Sequence, residues 1–343
     1  MRIAVVTSSP PMVEGGHMVI ARSLVQALRD VGHSADVIVT PQNRFGRQAS
    51  AYLATWLTDV GSADGHPIDQ VISLRYPSYA VRHPNHVCWL NHTMREYYDL
   101  WPRFTRGLGR AGRAKENVRR TLIHAADRYL LTRNVRKLFV QSRTVQQRLA
   151  MWPELRSTVL YPPPPQRAYR FDAWGDYVLM VSRLTPLKRA DLFLEALARP
   201  EASGIRAVVA GEGSERERLE RLVAQLGLGD RVTLAGRLSD EQLLDHLARC
   251  RAVCFPPLEE DYGFMTAEAF SARKAVVTCR DSGGPAELVE DGITGLVCEP
   301  SPSGLAAALQ RVMSEGTAER MGTAAAVAGA RLNWAETVKT LTT

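Results

Sequence analysis

Residues 3–39 read IAVVTSSPPMVEGGHMVIARSLVQALRDVGHSADVIV, and this stretch indicates the fold of the first half of the chain. Its apolar run at Ile3–Val6 predicts a buried strand, the amphipathic stretch that follows predicts a helix, and Ala35–Val39 predicts a second strand. Strand, helix and strand in this order form a βαβ unit, and apolar strands favour a parallel sheet. Further strands are predicted at Gln70–Leu74, Val87–Leu90 and Lys137–Val140.

Four consecutive prolines at 162–165 divide the chain. Proline neither continues a helix nor sits in a central strand, so this run predicts a connector between two domains. Beyond it the alternation of strand and helix restarts at Tyr177–Val181 and continues to Gly295–Val297, and the chain is predicted to be helical from Ser303 onward. The sequence therefore predicts an α/β protein with two parallel-sheet domains and a ligand in the cleft between them.

Length and composition exclude several other classes of protein. The 343 residues include 45% hydrophobic residues, 25 Gly and 19 Pro, which excludes a disordered chain, a collagen-like chain and a disulfide miniprotein. The five cysteines contain no CxxC pair, which favours reduced thiols and a cytoplasmic protein over a zinc site. The N-terminal apolar run is too short for a signal peptide, and no stretch is long enough to span a membrane.

The net charge of +7 comes from one segment. Residues 101–150 contain 13 Lys and Arg but only Glu116 and Asp127 as acidic residues. Within this segment Val118, Leu122 and Ala125/Ala126 recur at helical spacing, which predicts a helix. Two interpretations stay open: a solvated helical face, or a surface for an acidic acceptor or peripheral membrane contact.

Residues 258–270 read LEEDYGFMTAEAF and are the richest in candidate binding residues. They follow a predicted strand and begin a helix, whose first N–H groups lack intrahelical partners and suit an anion. These are the N–H groups of Gly263, Phe264 and Met265. Glu268, about one turn into the helix, is placed to accept hydrogen bonds from two hydroxyls, such as those of a ribose, and Glu260 to meet hydroxyls at the other end of the same ligand. Alternatively, both are solvated carboxylates that the helix dipole favours.

Three further loops follow predicted strands of the second half. Arg183 and Lys188 bracket the first loop, and two cations there suit a diphosphate. Gly211, in a Gly-Glu-Gly turn, follows the neighbouring strand. Leu238 lies in the third loop, whose backbone is a candidate for contact with a base edge.

Together these motifs resemble the retaining glycosyltransferases of family 4. Glu260 and Glu268 match the family's E-x7-E motif, and Ser182-Arg183-Leu184 with Lys188 resembles its phosphate motif. The other matching motifs stand in the family's order: Gly15-Gly16, Gly32-His33, Gly211-Glu212-Gly213, Ser282-Gly283-Gly284-Pro285-Ala286-Glu287 and Asp291-Gly292-Ile293-Thr294-Gly295.

The resemblance implies a GT-B fold, with two Rossmann-like parallel-sheet domains facing across a cleft. Residues 1–162 would bind the acceptor, residues 163–331 the nucleotide sugar, and a terminal helix at 332–343 would cross back to the first domain. Gly15 and Gly16 would close over the phosphates, and His92, in a stretch similar to the family's His-x-x-x-Arg/Tyr segment, would face the reacting sugar. Glu260 would hold that sugar.

The resemblance also implies a reaction: transfer of a sugar, with retention, from a nucleoside-diphosphate sugar, expected to be UDP-linked, to a small-molecule or oligosaccharide acceptor. No cofactor is expected, and the absence of Asp-x-Asp argues against a metal-bridged diphosphate. The chain departs from the family at Arg189, where glycine is common, and at Arg273-Lys274, where the family often reads Gly-x-Pro-Val. Both departures concern the sugar-side loop rather than the phosphate contacts.

Two alternatives come from other classes of protein. A GT-B sugar-nucleotide epimerase would bind the nucleotide similarly but needs carboxylates poised for elimination, which the sequence does not place. A nucleic-acid-binding protein would use residues 101–150, but that segment has few interleaved aromatic residues and matches no module, so no nucleic-acid partner is expected.

Overall fold

The computed structural model describes residues 1–10, 12, 15–42 and 46–343, so residues 11, 13 and 14 of the predicted glycine loop lie outside the described residues. The chain divides into two units: Met1–Pro162 with Trp334–Thr343, and Pro163–Asn333.

The first unit is built around a sheet of six parallel strands. Its elements up to the proline run are β1 (Arg2–Ser9), α1 (Gly16–Asp30), β2 (Ser34–Pro41), α2 (Gln48–Trp56), β3 (Ser62–Ala63), β4 (His66–Pro67), β5 (Gln70–Ser73), β6 (His86–Leu90), α3 (Trp101–Phe104), α4 (Arg110–Arg133), β7 (Lys137–Val140), α5 (Arg143–Leu149) and β8 (Thr158–Val159). The strand order is β2-β1-β5-β6-β7-β8, with β3 and β4 forming a separate antiparallel pair. The strands predicted from apolar runs are confirmed, whereas α2 was not predicted.

The second unit contains another six-stranded parallel sheet. Its elements are β9 (Tyr177–Val181), α6 (Ala190–Leu197), β10 (Arg206–Ala210), α7 (Arg216–Gln225), β11 (Val232–Gly236), α8 (Asp240–Arg249), β12 (Ala252–Cys254), α9 (Phe264–Ser271), β13 (Ala275–Cys279), α10 (Gly284–Leu288), β14 (Gly295–Cys298), α11 (Pro302–Met313) and α12 (Thr317–Gly329). The chain runs outward from β9 through β10 to β11 and returns on the other side of β9 as β12. The sheet therefore has a topological switch point between β9 and β12, where open α/β sheets bind ligands.

Alternating side chains of the second sheet build a core on each of its faces. Val178 and Met180 of β9 lie in one buried cluster, while Leu179 between them lies in the cluster on the opposite face. A strand projects successive side chains to opposite faces, so a sheet covered by helices on both sides needs apolar residues at every position. This explains why the strands read as continuous apolar runs.

The C-terminal region, predicted to be helical from Ser303 onward, forms three helices. The last of them, α13 (Trp334–Thr342), belongs to the first unit and packs on α1. The ring of Trp334 meets that of Trp89 edge-on at 6.2 Å, and Gln70 Nε2 donates a hydrogen bond of 2.7 Å to the carbonyl of Leu341.

Helix α4 confirms the predicted helix in the basic segment, but two of the apolar residues that predicted it face outward. Val118 and Leu122 are 62% and 65% exposed, whereas Glu116 and Asp127 are buried. Among the described residues, no helix has both the length and the apolar character needed to cross a membrane.

Candidate active site

Lys188 and Glu260 form an ion pair at the switch point of the second sheet. Lys188 ends a 3-10 turn after β9, and its Nζ lies 2.6 Å from Glu260 Oε2, in the loop after β12. Their side chains are 12% and 20% exposed, and Lys188 also lies 5.6 Å from the centre of the Phe255 ring. The pair therefore stands at the edge where open α/β sheets bind ligands.

The loop that carries Arg183 rests on the Gly-Glu-Gly turn after β10. Ser182 N–H donates to the Ala210 carbonyl at 3.0 Å, and Leu184 N–H donates to the Glu212 carbonyl at 2.9 Å. Gly211 has a φ of +136°, and a Cβ there would lie 1.8 Å from the Ser182 carbonyl oxygen. Only glycine permits this approach, so the turn supports the loop on which Arg183 is exposed.

The predicted anion site lies at the start of α9. Gly263 precedes the helix with a φ of +80°, and a Cβ there would lie 2.7 Å from Phe255 Cε1 and 2.8 Å from Pro285 Cγ. Phe264 is the first residue of the helix, and Met265 is buried behind it. The glycine thus lets α9 begin directly after the Glu260 loop, with its first N–H groups free of intrahelical partners.

Glu268 is buried in α9 and already holds two partners from the segment after the prolines. Its Oε1 accepts hydrogen bonds from the Arg167 guanidinium and, at 2.9 Å, from the Tyr169 hydroxyl. Burial raises the pKa of Glu268, although the nearby charge of Arg167 opposes this shift. Both hydrogen bonds end on Oε1, and no described residue donates to Oε2. The carboxylate therefore keeps one oxygen for a ligand.

Leu238 lies half-buried against an apolar cluster of the second unit. The residue after it, Ser239, caps α8: its Oγ accepts from Gln242 N–H at 3.2 Å, and its own N–H donates to Gln242 Oε1 at 2.9 Å. Because Ser239 already uses its hydroxyl and its N–H to cap α8, only the backbone around Leu238 remains to contact a nucleotide base. That contact stays a prediction.

Arg189 was not predicted as a site residue, yet it joins three of the loops around the ion pair. Its guanidinium binds both carboxylate oxygens of Asp281 at 2.7 and 2.8 Å and donates to the carbonyls of Pro256 and Pro257 at 2.6 and 2.7 Å. Its backbone has a φ of +52°, a conformation in which glycine is favoured. In the sequence, Arg189 stood out only because it occupies the position directly after Lys188 where the family commonly has glycine.

The other predicted residues belong to the first unit. Gly15 precedes α1 with an extended backbone, and Gly16 is the first residue of the helix. His92 follows β6 and is half-buried; its Nδ1 donates to the Thr93 carbonyl at 2.6 Å, and its own carbonyl accepts from Tyr76 N–H at 3.1 Å. The ring is thereby held with Nδ1 protonated.

In the second unit the structure brings Lys188 and Glu260 into contact and stacks the Arg183 loop on the Gly211 turn. It joins Glu268 to Arg167 and Tyr169. Among the described residues, no group of three or more His, Cys, Asp and Glu side chains is arranged to hold a metal ion. Metal independence stays a prediction.

Solved structures identify the fold. A sucrose-phosphate synthase from Thermosynechococcus elongatus superposes with a TM-score of 0.79 at 16% identity, over 99% of this chain and 97% of that one. The Anabaena protein HepE in complex with UDP and glucose gives a TM-score of 0.69 at 18% identity, over 99% and 98%. The chain has the GT-B fold, and the predicted fold class is confirmed.

Sequence comparison finds a family match within the second unit. Residues 167–327 match the family described as Glycosyl transferases group 1. The alpha-D-kanosaminyltransferase of Streptomyces kanamyceticus is 34% identical over 142 residues, which cover 40% of this chain and 36% of that protein. The D-inositol 3-phosphate glycosyltransferase of Mycolicibacterium smegmatis is 32% identical over 170 residues, covering 48% and 38%. The chain thus aligns with well under half the length of these relatives.

Proposed function

We propose that this chain is a retaining, metal-independent glycosyltransferase that moves a sugar from a UDP-sugar to an acceptor hydroxyl. The observation that carries the proposal is the pairing of Lys188 with Glu260 at the switch point of the second sheet, beside the Arg183 loop. A sugar linked to a diphosphate offers a partner for each side chain: phosphates for the cation and hydroxyls for the carboxylate. The HepE structure, which holds UDP and glucose, is consistent with this ligand class.

In the proposed mechanism the protein stabilises the charge of the departing nucleoside diphosphate. As the bond to the anomeric carbon breaks, negative charge grows on the β-phosphate, and Arg183, Lys188 and the N–H groups of Phe264 and Met265 are placed to stabilise it. These groups are held by the folded loops before reaction, so little reorganisation accompanies the chemical step. Binding of the phosphate would release Glu260 from Lys188 to hold hydroxyls of the sugar.

Retention follows if the acceptor attacks from the face that the diphosphate leaves. The leaving phosphate then takes the acceptor's proton, and the pair of catalytic carboxylates that a glycosidase needs is not required. Gly15 and Gly16 would close over the phosphates and His92 would face the sugar. We further propose that the acceptor is a small molecule or an oligosaccharide and that the reaction belongs to antibiotic biosynthesis. The transferase that attaches eurekanate in avilamycin is an example of such an enzyme.

Membrane contact through residues 101–150 and a cytoplasmic location stay predictions, the latter from the pattern of cysteines. Nothing in the fold or in the comparisons favours the epimerase alternative. Product analysis separates the two reactions: a transferase joins the sugar to an acceptor, whereas an epimerase returns an isomerised donor. Nuclear magnetic resonance of the product reports retention through the anomeric configuration.

A nucleotide screen tests the donor assignment directly. We expect UDP to raise the melting temperature more than GDP, ADP or dTDP, because a ligand that binds only the folded state stabilises it by about 2.7 kcal/mol at a hundred times its Kd. Thermal denaturation with each nucleotide at equal concentration measures this. If none of the four raised the melting temperature, the proposed donor site would be wrong. If GDP raised it more than UDP, the site would stand and the donor would be assigned to guanine instead of uracil.

Replacing His92 with alanine is expected to lower the rate of transfer about a hundredfold while changing UDP affinity less than about twofold. The reason is that His92 is proposed to position the reacting sugar, whereas the nucleotide is held by the second unit. Steady-state kinetics and calorimetry with UDP measure the two effects. A large loss of UDP affinity with an unchanged rate constant would place His92 outside the reacting centre.

A further inference from the structure

Helix α4 buries Ile123, Leu130 and Leu131 against the core, yet it also has an exposed apolar side. Leu122 and Tyr129 are 65% and 57% exposed, whereas Glu116 and Asp127 face inward. An amphipathic helix normally buries its apolar stripe against the core. The exposed apolar side of α4 therefore needs a separate explanation.

Polar contacts fix this orientation of α4. Asp127 accepts hydrogen bonds from the hydroxyls of Tyr52, Tyr79 and Tyr98, the last two at 2.5 and 2.6 Å. Burial raises the pKa of Asp127 to about 6, so the carboxylate is ionised at neutral pH and needs these donors. Since turning the helix over would strip a buried charge of its partners, the apolar side stays at the surface.

A groove lies between this apolar side and α2. It encloses about 580 Å³ and is floored in part by the 3-10 turn at Ser78–Ala80. Most of its lining is apolar or aromatic: Ala49, Tyr52, Leu53, Trp56, Ala80, Leu122, Ile123, Ala126, Tyr129 and Leu130. The volume falls within the range of small-molecule sites, and an apolar lining with a few polar groups is typical of them.

Cations mark the rim of the groove. Arg47 and Arg119 line it, and Arg82 stacks over the ring of Trp56 at 5.1 Å. Arg119 is paired with Glu116 at 2.6 Å, whereas the described residues that line the groove include no acidic one. An occupant with an apolar body and one anionic group therefore matches the groove in both packing and charge.

We propose that the α2–α4 groove binds the apolar end of the acceptor, a ring-bearing small molecule that carries an anionic group. The proposal rests on the proposed function and specifies its acceptor class. Helix α2 begins after β2, just as His92 follows β6, so both leave the carboxyl edge of one parallel sheet. Gln48, which lines the groove at the start of α2, donates to the Tyr97 hydroxyl at 3.4 Å, so this end of the groove lies near the segment that follows His92.

A bilayer is the competing occupant, and α4 offers a control that separates the two. Val118 lies on the same helix with nearly the same exposure as Leu122, but it does not line the groove. A membrane that covers the outer side of α4 would contact both residues, whereas a small molecule in the groove contacts only Leu122. Leu122→Glu and Val118→Glu therefore form a matched pair.

The test uses 8-anilinonaphthalene-1-sulfonate, an aromatic probe with one anionic group, and the full chain. We expect saturable fluorescence that Leu122→Glu weakens about tenfold and Val118→Glu changes less than about twofold, because a carboxylate in the groove is buried against the probe. Arg47→Ala should weaken this probe but not the uncharged N-phenyl-1-naphthylamine. The thermal melts of the paired variants should agree, since both positions are exposed.

Two outcomes would overturn the proposal: no saturable binding by the wild-type chain, or equal losses from Leu122→Glu and Val118→Glu. Co-sedimentation with phosphatidylglycerol vesicles that both variants abolish would assign the surface to a membrane instead. Calorimetry with UDP separates the hypothesis of the acceptor groove from that of the donor site, since Leu122→Glu should leave UDP affinity unchanged. Loss of UDP binding by the wild-type chain with intact probe binding would refute the donor site alone.

Discussion

Replacing Lys188 with alanine is expected to weaken UDP binding about tenfold or more and to lower kcat/KM by about a hundredfold. The ammonium lies 2.6 Å from Glu260 at the switch point, and in the proposed mechanism it moves its contact to the β-phosphate. The loss should be larger for the transition state than for binding, because charge on that phosphate increases as the bond breaks. Calorimetry with UDP and steady-state kinetics measure the two quantities.

Uridine supplies the internal control for this prediction. It lacks the diphosphate, so Lys188→Ala should change uridine affinity much less than UDP affinity. Arg206→Ala is the matched control, because it also removes one cation from an ion pair but far from the proposed site. Arg206 begins β10, at the amino end of the sheet, and pairs with Asp176 at 3.0 Å on the surface. Equal losses for uridine and UDP would show that Lys188 supports the fold of the loop rather than the phosphates.

The contact between Lys188 and Glu260 was within reach of sequence reasoning although 72 positions separate the two residues. Each follows a strand with a clear apolar run, and the carboxyl ends of parallel strands lie at one edge of a sheet. What the sequence does not contain is the strand order that makes β9 and β12 neighbours. The resemblance to a family supplied the Rossmann-like fold, which has a switch point of this kind.

Helix α2 was missed because its buried side has no apolar periodicity. Its buried residues are Gln48, Ala51 and Thr55, while Leu53 is 59% exposed. Pattern recognition depends on apolar residues that recur on the buried side, and here small and polar residues occupy those positions.

The sequence left the orientation of α4 open for a related reason. Val118 and Leu122 recur at helical spacing, which is typical of a buried stripe, but Asp127 takes the buried side. Its hydroxyl partners come from residues as far away as Tyr52. Contacts over such separations leave no local signal, so only the folded chain shows which face is buried.

The partners of Glu268 were equally out of reach, and they define the second prediction. Arg167 stands 101 positions before Glu268, just after the prolines, where neither composition nor spacing marks it. Its hydrogen bond and that of Tyr169 both end on Oε1. Glu268 therefore has a structural role on one oxygen and a proposed ribose contact on the other, and the experiment has to separate the two.

Replacing Glu268 with alanine is expected to weaken UDP binding about tenfold or more. The sharper readout is the ratio of affinities for UDP and 2′-deoxy-UDP. A carboxylate that accepts a hydrogen bond from the ribose rejects the analogue that lacks the hydroxyl, so the wild-type chain should prefer UDP and the variant should lose that preference. Calorimetry with both nucleotides measures the ratio.

Tyr169→Phe is the matched control, because it removes one hydrogen bond to Oε1 and leaves the carboxylate in place. It should keep the preference for UDP even if the melting temperature falls. Glu268→Gln keeps the shape of the side chain but leaves Arg167 with Asp240 as its remaining ionic partner, so a fall in stability with an unchanged nucleotide ratio would reveal a purely structural role. That result would remove Glu268 from the donor site and leave Lys188 as its anchor.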